Sequence, residues 1–125
     1  MDKLLYRNEV FEIIGCAIEV HRVLGSGFLE AVYQQALEIE LRRKDIPYVA
    51  NKTLLVTYKG IQLRKEYVAD FVCEDKIILE IKALDSLSGR EEAQVINYLK
   101  VSNFRIGLLI NFGAIRKLEW KRIIV

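Results

Sequence analysis

The chain has 125 residues, 52% of them hydrophobic, a single proline and a net charge of +2. That length suits one domain, 1–125, around one core, and the apolar share excludes intrinsic disorder. A charge of +2 excludes polyanion binding through bulk electrostatics, so any such contact must come from local clusters.

Asn8 reads as the N-cap of a first helix, whose apolar stripe runs through Val10, Ile13, Ile14, Ala17, Ile18 and Leu24. Near its C-terminus lies His21, the sole histidine, a surface or boundary residue favoured by the helix dipole. Gly25-Ser26-Gly27 breaks the helix. A second helix is expected over 28–43, with Leu29, Val32, Tyr33, Ala36, Leu37 and Leu41 on its apolar face. It ends at Asp45-Ile46-Pro47, because the residue before proline resists helical geometry.

Three strands follow, over 53–58, 63–73 and 76–82, with connections short enough for an antiparallel meander. Ser88 and Glu91 have capping-box spacing within a third helix over 86–102. A fourth strand over 105–111 is almost wholly apolar, as in a strand buried on both faces, and the intervening helix makes it parallel to the third. A fifth strand over 117–124 belongs at an edge. The order is α-α-β-β-β-α-β-β, an α/β domain with a mixed central sheet flanked by helices.

Cys16 and Cys73 lie in apolar patterns with no zinc-ligand spacing, so both read as buried free thiols suited to a reducing cytoplasm. Met1-Asp2-Lys3-Leu4-Leu5-Tyr6 has no secretory hydrophobic region, and no window approaches the roughly 18 apolar residues of a membrane span. Arg42-Arg43-Lys44, Arg64-Lys65 and Arg116-Lys117 with Lys121-Arg122 each read as solvated charge. Trp120, beside the last cluster, reads as a packed residue rather than a base-stacking one.

The chemistry concentrates in Asp70-Phe71-Val72-Cys73 and Ile77-Ile78-Leu79-Glu80-Ile81-Lys82, two apolar runs that carry three charges. Buried charges are paired or hold a metal. Glu80 and Lys82 share a strand face, roughly 6.6 Å apart along the chain. A three-residue loop Glu74-Asp75-Lys76 would bring Asp70 opposite Glu80, whereas a two-residue loop would put them on opposite faces. In the first register Val68, Asp70, Val72, Ile78, Glu80 and Lys82 share one face, and Phe71, Cys73, Ile77, Leu79 and Ile81 the other. Two carboxylates about 4 Å apart repel by roughly 4 kcal/mol at an effective dielectric of 20, which a cation between them would relieve. Mg²⁺, which takes one or two carboxylates and keeps several waters, fits such a pair, with the Ile81 carbonyl as a further oxygen. Lys82 would then orient or deprotonate a water and neutralise developing phosphorane charge. A metal-free Asp-Lys-Glu ion network is the bland alternative.

Asp70, Glu80 and Lys82 in this arrangement resemble the PD-(D/E)XK nuclease superfamily, whose restriction-endonuclease-like core is α-β-β-β-α-β with Asp on the second strand and Glu-x-Lys on the third. Ala69 stands where the name-giving proline would be. Gly27-Phe28-Leu29-Glu30-Ala31-Val32-Tyr33, Tyr67-Val68-Ala69-Asp70-Phe71, Leu79-Glu80-Ile81-Lys82 and Gln94-Val95-Ile96-Asn97-Tyr98-Leu99 further resemble the blocks of the small prokaryotic GxxExxY protein family. By this resemblance Glu30 is a further acidic contributor to the metal site; as local structure it is a helix cap. Tyr33 bonds a site carboxylate or packs at its rim. Gln94 and Tyr98, one turn apart on the third helix, resemble a pair that lies near the active site and DNA in nuclease domains related to recombination helicase-nucleases.

The resemblance implies a nuclease dependent on Mg²⁺ or Mn²⁺ that cleaves nucleic acid, DNA rather than RNA, with a homodimer or partner supplying further substrate contacts. The rivals are a non-catalytic module that binds nucleic acid or protein on the same fold, and a small-molecule phosphoesterase.

Overall fold

The structure, a computed structural model, describes residues 5–125; the residues Met1 to Leu4 of the N-terminal reading lie outside them. The elements are α1 (Arg7–Leu24), α2 (Glu30–Arg43), β1 (Tyr48–Tyr58), β2 (Ile61–Cys73), β3 (Ile77–Lys82), α3 (Gly89–Ser102), β4 (Ile106–Asn111) and β5 (Glu119–Ile124). The strands form one sheet in the order β1-β2-β3-β4-β5, with β3 and β4 parallel and every other pair antiparallel. Element order and the mixed sheet match the expectation. No helix among the described residues is long and apolar enough to cross a membrane.

The sheet is the middle of three layers. Phe71, Cys73, Ile77, Leu79 and Ile81 join Ile106, Leu108 and Ile110 in a core against α1 and α2. Val72, Ile78, Leu109 and Ile123 face the other way, against Val95, Tyr98 and Leu99 of α3. Every residue of β4 is buried, as its unbroken apolar run requires.

Local signals account for most element ends. Ser88 caps α3 with a complete capping box, its hydroxyl accepting from the Arg90 amide while Glu91 reaches back to the Ser88 amide at 2.7 Å. Asn8 does not cap α1: the helix begins at Arg7, after Tyr6 in the left-handed region. Glu30 does not cap α2 either, since it is the first helical residue and no side-chain cap bond forms there. A carboxylate in the first turn still complements the helix dipole. β1 starts five residues earlier than the apolar pattern suggests, because Tyr48, Val49 and Ala50 pair with Cys73, Val72 and Phe71.

A buried polar network clamps the segment after β3. Asn111, fully buried, accepts from the Leu84 and Gly113 amides at 2.8 and 3.0 Å and donates to the Leu84 carbonyl and to Glu119, both at 2.9 Å. Both amide hydrogens are used and the oxygen accepts twice, so the residue costs little to bury. Glu119 also accepts from the Leu87 amide at 3.1 Å. The 83–88 segment, which joins Lys82 to α3, is thereby fixed to the ends of β4 and β5.

Gly113 makes that approach possible. A Cβ there would collide with the Leu84 carbonyl and lie 2.6 Å from the Leu84 amide nitrogen. Gly113→Ala should therefore lower unfolding free energy by about 2 kcal/mol or more in urea denaturation, the scale of forced overpacking against a backbone that cannot move aside. A loss under about 0.5 kcal/mol would show that the segment is not fixed there.

Candidate active site

The β2–β3 turn has the three-residue form. Phe71, Val72 and Cys73 pair with Leu79, Ile78 and Ile77, and continuing that register sets Asp70 opposite Glu80. Glu74 and Asp75 both take positive φ, and the Lys76 amide donates to the Cys73 carbonyl at 3.1 Å.

At Asp70 the regular ladder stops and side chains replace it. The Asp70 amide donates to Glu80 Oε1 at 3.0 Å, and the Ile81 amide donates to Asp70 Oδ2 at 2.8 Å. Each carboxylate thus accepts a backbone hydrogen from the opposite strand. The two bonds fix both carboxyls beside the strands, and a bond to an ionised carboxylate is charge-assisted.

The face pattern also switches at this point. Ala69 and Leu54 pack under α3 with Val72, whereas Phe71 and Ala50 pack on the α1–α2 side. Strict alternation would have kept Ala69 with Phe71. Both strands change face in step, and Asn51, opposite Asp70 in the β1–β2 register, takes φ 53°. Asn tolerates this conformation better than most residues. Val68, expected on the Asp70–Val72 face, is instead exposed on the far side. Gln34 of α2 braces the break, donating to Asn51 Oδ1 at 3.1 Å and, more weakly, towards the Asp70 carbonyl at 3.5 Å. Neither Gln34 nor Asn51 was singled out from the sequence. An Asn inside an otherwise strand-like run was the available signal.

Lys82 and α3 close the site from the other side. Lys82 Nζ donates to Gln94 Oε1 at 2.7 Å, and Gln94 Nε2 donates to the Tyr98 hydroxyl at 3.3 Å. The Gln94–Tyr98 pair is thus linked directly to Lys82, through the face of α3 that the Ser88 capping box orients.

Glu80 is almost fully buried, at 3% exposure. Burial, and then the negative charge of Asp70, push its carboxyl up to about 8, against the opposing pull of the Asp70 amide and Lys82. Hydrogen bonding with the Asp70 carboxyl adds a smaller push in the same direction. Burial and then Glu80 also raise the Tyr98 phenol, so that hydroxyl stays protonated.

The chain matches the family model of the PD-(D/E)XK nuclease superfamily over residues 7–123. It belongs to that superfamily. The fold is similar to that of a solved structure titled "Crystal structure of SSO0001", with a TM-score of 0.60 and 19% sequence identity. The match covers 98% of this chain and 61% of that one, so this chain spans less than two thirds of the other's length. A search of curated proteins finds no match.

In this PD-(D/E)XK chain Ala69, at the position of the name-giving proline, is fully buried beneath α3. Glu30 is exposed at the start of α2, one turn before Gln34. Among the described residues, no three His, Cys, Asp or Glu side chains are grouped to hold a metal ion. What the structure brings together is the pair Asp70 and Glu80, and two carboxylates suffice for a cation that keeps most of its water. The mutual repulsion evident in the raised Glu80 carboxyl is what such a cation, or a proton, relieves.

Tyr33 does not reach a carboxylate. It is fully buried, donates to the Gly25 carbonyl at 2.6 Å, accepts from the Phe28 amide at 3.2 Å, and stacks on Phe112 at 4.8 Å. In this protein the last residue of the Gly-x-x-Glu-x-x-Tyr motif closes the glycine turn that precedes α2. His21 is buried rather than at the surface, with Nε2 2.7 Å from the Ala114 carbonyl. Cys16 and Cys73 are buried and free, and desolvation raises them to about 11 and 12, so neither is a ready nucleophile. Trp120 is only partly packed, in an apolar groove with Phe11, Ile14 and Ile18 of α1, on the sheet face away from Lys82. The basic residues near it do not form one patch: Lys121 pairs with Glu92 of α3, while Arg122 donates to the Leu5 carbonyl.

The Glu80 carboxyl has a measurable consequence. Its native affinity for protons is raised, so between about pH 4.5 and 8 the folded chain holds a proton that the unfolded chain has released. Stability linked to this group is complete below that window and falls as pH rises through it. In EDTA, Glu80→Gln should melt about 4 °C or more above wild type at pH 8, the shift expected for about 1 kcal/mol in a domain of this size. The gap should close towards pH 5. A gap independent of pH would show that Glu80 is not held in this way.

Proposed function

We propose that the protein is a metal-dependent phosphodiesterase of nucleic acid, with DNA as its substrate and Asp70, Glu80 and Lys82 as its reacting site. The observation that carries this reading is the junction of β2 and β3, where two carboxylates are fixed side by side on backbone amides with a lysine two residues on. Such a pairing costs stability in an empty ion network and gains it with a cation.

Asp70 and Glu80 would hold Mg²⁺ or Mn²⁺, which when bound supplies Lewis acidity towards a phosphoryl oxygen and an acidified water. Glu30 is a further acidic contributor from α2. Lys82 is held at a fixed position by Gln94, with its other hydrogens available to orient a water or to meet charge gathering on the phosphate. Gln94 sets that position and Tyr98 sets Gln94, a role that fits their place beside substrate in related domains. The pair of buried thiols suits a reducing compartment such as the cytoplasm.

Labelled single- and double-stranded DNA and RNA, incubated with Mg²⁺, Mn²⁺ or EDTA, test the reading. DNA cleavage should require the metal and fall by more than about 100-fold in Asp70→Ala and in Lys82→Ala, the scale for removing a directly acting charged group. Gln94→Ala should lose about 10-fold, as a positioning residue. Binding without cleavage in any metal would overturn the reading in favour of a binding module. Turnover of small phosphoesters alone would overturn it in favour of a phosphoesterase.

A further inference from the structure

β1 and β2 run far beyond the sheet. Only Phe71–Cys73 of β2 pair with β3, whereas β1 and β2 pair with each other from Tyr48↔Cys73 out to Tyr58↔Ile61. Most of the hairpin from Asn51 onward is therefore a two-stranded arm, with α3 against its base through Leu54, Tyr67 and Ala69. The arm carries four cations, Lys52, Lys59, Arg64 and Lys65, against one acid, Glu66. It is more positive than the whole chain, whose net charge is +2.

The charges are sorted by face. Lys52 is opposite Ala69, and Leu54 is opposite Tyr67; Ala69, Leu54 and Tyr67 all lie on the α3 side. Lys52, two residues from Leu54, shares that side by strand alternation, and Lys65, beside an irregularity in the pairing, shares it because its Nζ lies over the Tyr67 ring. Glu66, Val68 and Leu55 fall on the far side, where Leu55 and Val68 are exposed. The α3 side of the arm therefore carries cations and no acid. Both lysines are exposed, and among the described residues neither has a carboxylate partner.

A contiguous row connects this face to the candidate site. Lys65 Nζ lies 4.9 Å from the centre of the Tyr67 ring, and the Tyr67 and Tyr98 rings are 5.5 Å apart. The Tyr98 hydroxyl accepts from Gln94, and Gln94 accepts from Lys82. Cation, aromatic pair, amide and site lysine follow one another along one side of the molecule.

We propose that the α3 side of the β1–β2 arm, through Lys52, Lys65 and Tyr67, is a docking strip for the sugar–phosphate backbone of the substrate, which it leads to Asp70 and Glu80. The proposal rests on the nuclease reading and adds to it where the substrate strand lies. Two unpaired lysines offer phosphate contacts at separate points. The ring between them offers a surface on which a sugar or an unstacked base can rest. A two-stranded ribbon is also of a size that a DNA major groove admits. The far side, where alternation sets Arg64 beside Glu66 with exposed Leu55 and Val68, carries no net charge to complement a polyanion.

Binding and cleavage measured separately test this. Fluorescence anisotropy with a short labelled DNA duplex and its single strand, in EDTA, reads binding without cleavage. Lys52→Glu with Lys65→Glu should weaken binding at least 10-fold and lower the slope of log affinity against log salt by about 1.8 on duplex, or about 1.4 on single strand, as for two lost phosphate contacts. Lys52→Ala with Lys65→Ala, which loses the same two contacts, should lower the slope by as much and weaken binding by less. Arg43→Glu with Lys44→Glu, the same charge change at the C-terminal end of α2, should leave both near wild type, and thermal melting checks that each variant is folded. Equal binding by the arm variant and wild type, or equal loss in the α2 variant, would overturn the strip. So would an altered oligomeric mass in the arm variant with unchanged DNA affinity, which would mark the arm as a protein contact. If Asp70→Ala still abolishes cleavage in those cases, the nuclease reading stands without the strip; if wild type neither binds nor cleaves DNA, both fall.

Discussion

Two hydrogen bonds organise this protein: Asp70 amide to Glu80 carboxylate, and Ile81 amide to Asp70 carboxylate. They occur where β2 parts from β3, and each satisfies a backbone donor that the interrupted ladder would otherwise leave bare. The same bonds force two acids into one small volume, most of it out of water. Burial and proximity together raise the Glu80 carboxyl. A conflict of this kind, with backbone geometry holding two charges where electrostatics would separate them, is characteristic of functional sites.

Contacts on both sides hold the site in place. On one side Gln34 and Asn51 brace the change of face in β1 and β2. On the other, Asn111 and Glu119 fix the segment after Lys82, and the Ser88 capping box sets where α3 begins. Gln94 then meets Lys82 from a helix whose start and direction are fixed. Among the described residues no buried side-chain nitrogen or oxygen lacks a partner. Interiors that pack closely and satisfy their polar groups pass such constraints on with little slack. Tyr33 does similar work farther off, tying the glycine turn to the core through Phe112 and so fixing where α2 starts.

Much of this was legible in the sequence because the signals were strong and local. Ser88 and Glu91 specify a cap by their spacing, and the apolar run of β4 specifies a buried strand; the sequence leaves the β2–β3 turn open between two and three residues, and the structure has three, which sets Asp70 opposite Glu80. The Gln94–Tyr98 spacing on α3 likewise placed two residues on one face, and that face meets Lys82. What was not legible depended on contacts distant in sequence. Ala69 and Phe71 lie on opposite sides because Asn51, about twenty residues upstream, breaks the partner strand in step, and simple alternation carries no record of that. Tyr33, one turn past Glu30, carries no local signal for the glycine turn that captures it, which is a tertiary contact. The helix dipole suits His21 to a surface or boundary position, and its burial depends on the Ala114 carbonyl from the far end of the chain.

Superfamily membership and the site geometry support each other without being the same observation. The family match spans nearly the whole described chain, while the solved structure, at 19% identity, speaks to the fold alone. The chemistry rests on whether the Asp70–Glu80 pair accepts a divalent cation. Anomalous difference density from crystals soaked in Mn²⁺ answers that most directly. A peak bonded to both carboxylates, absent from Asp70→Asn crystals, is the expected result. An empty junction at high Mn²⁺, with Asp70 and Glu80 still bonded to the two amides, would contradict the reading of this pair as a metal site.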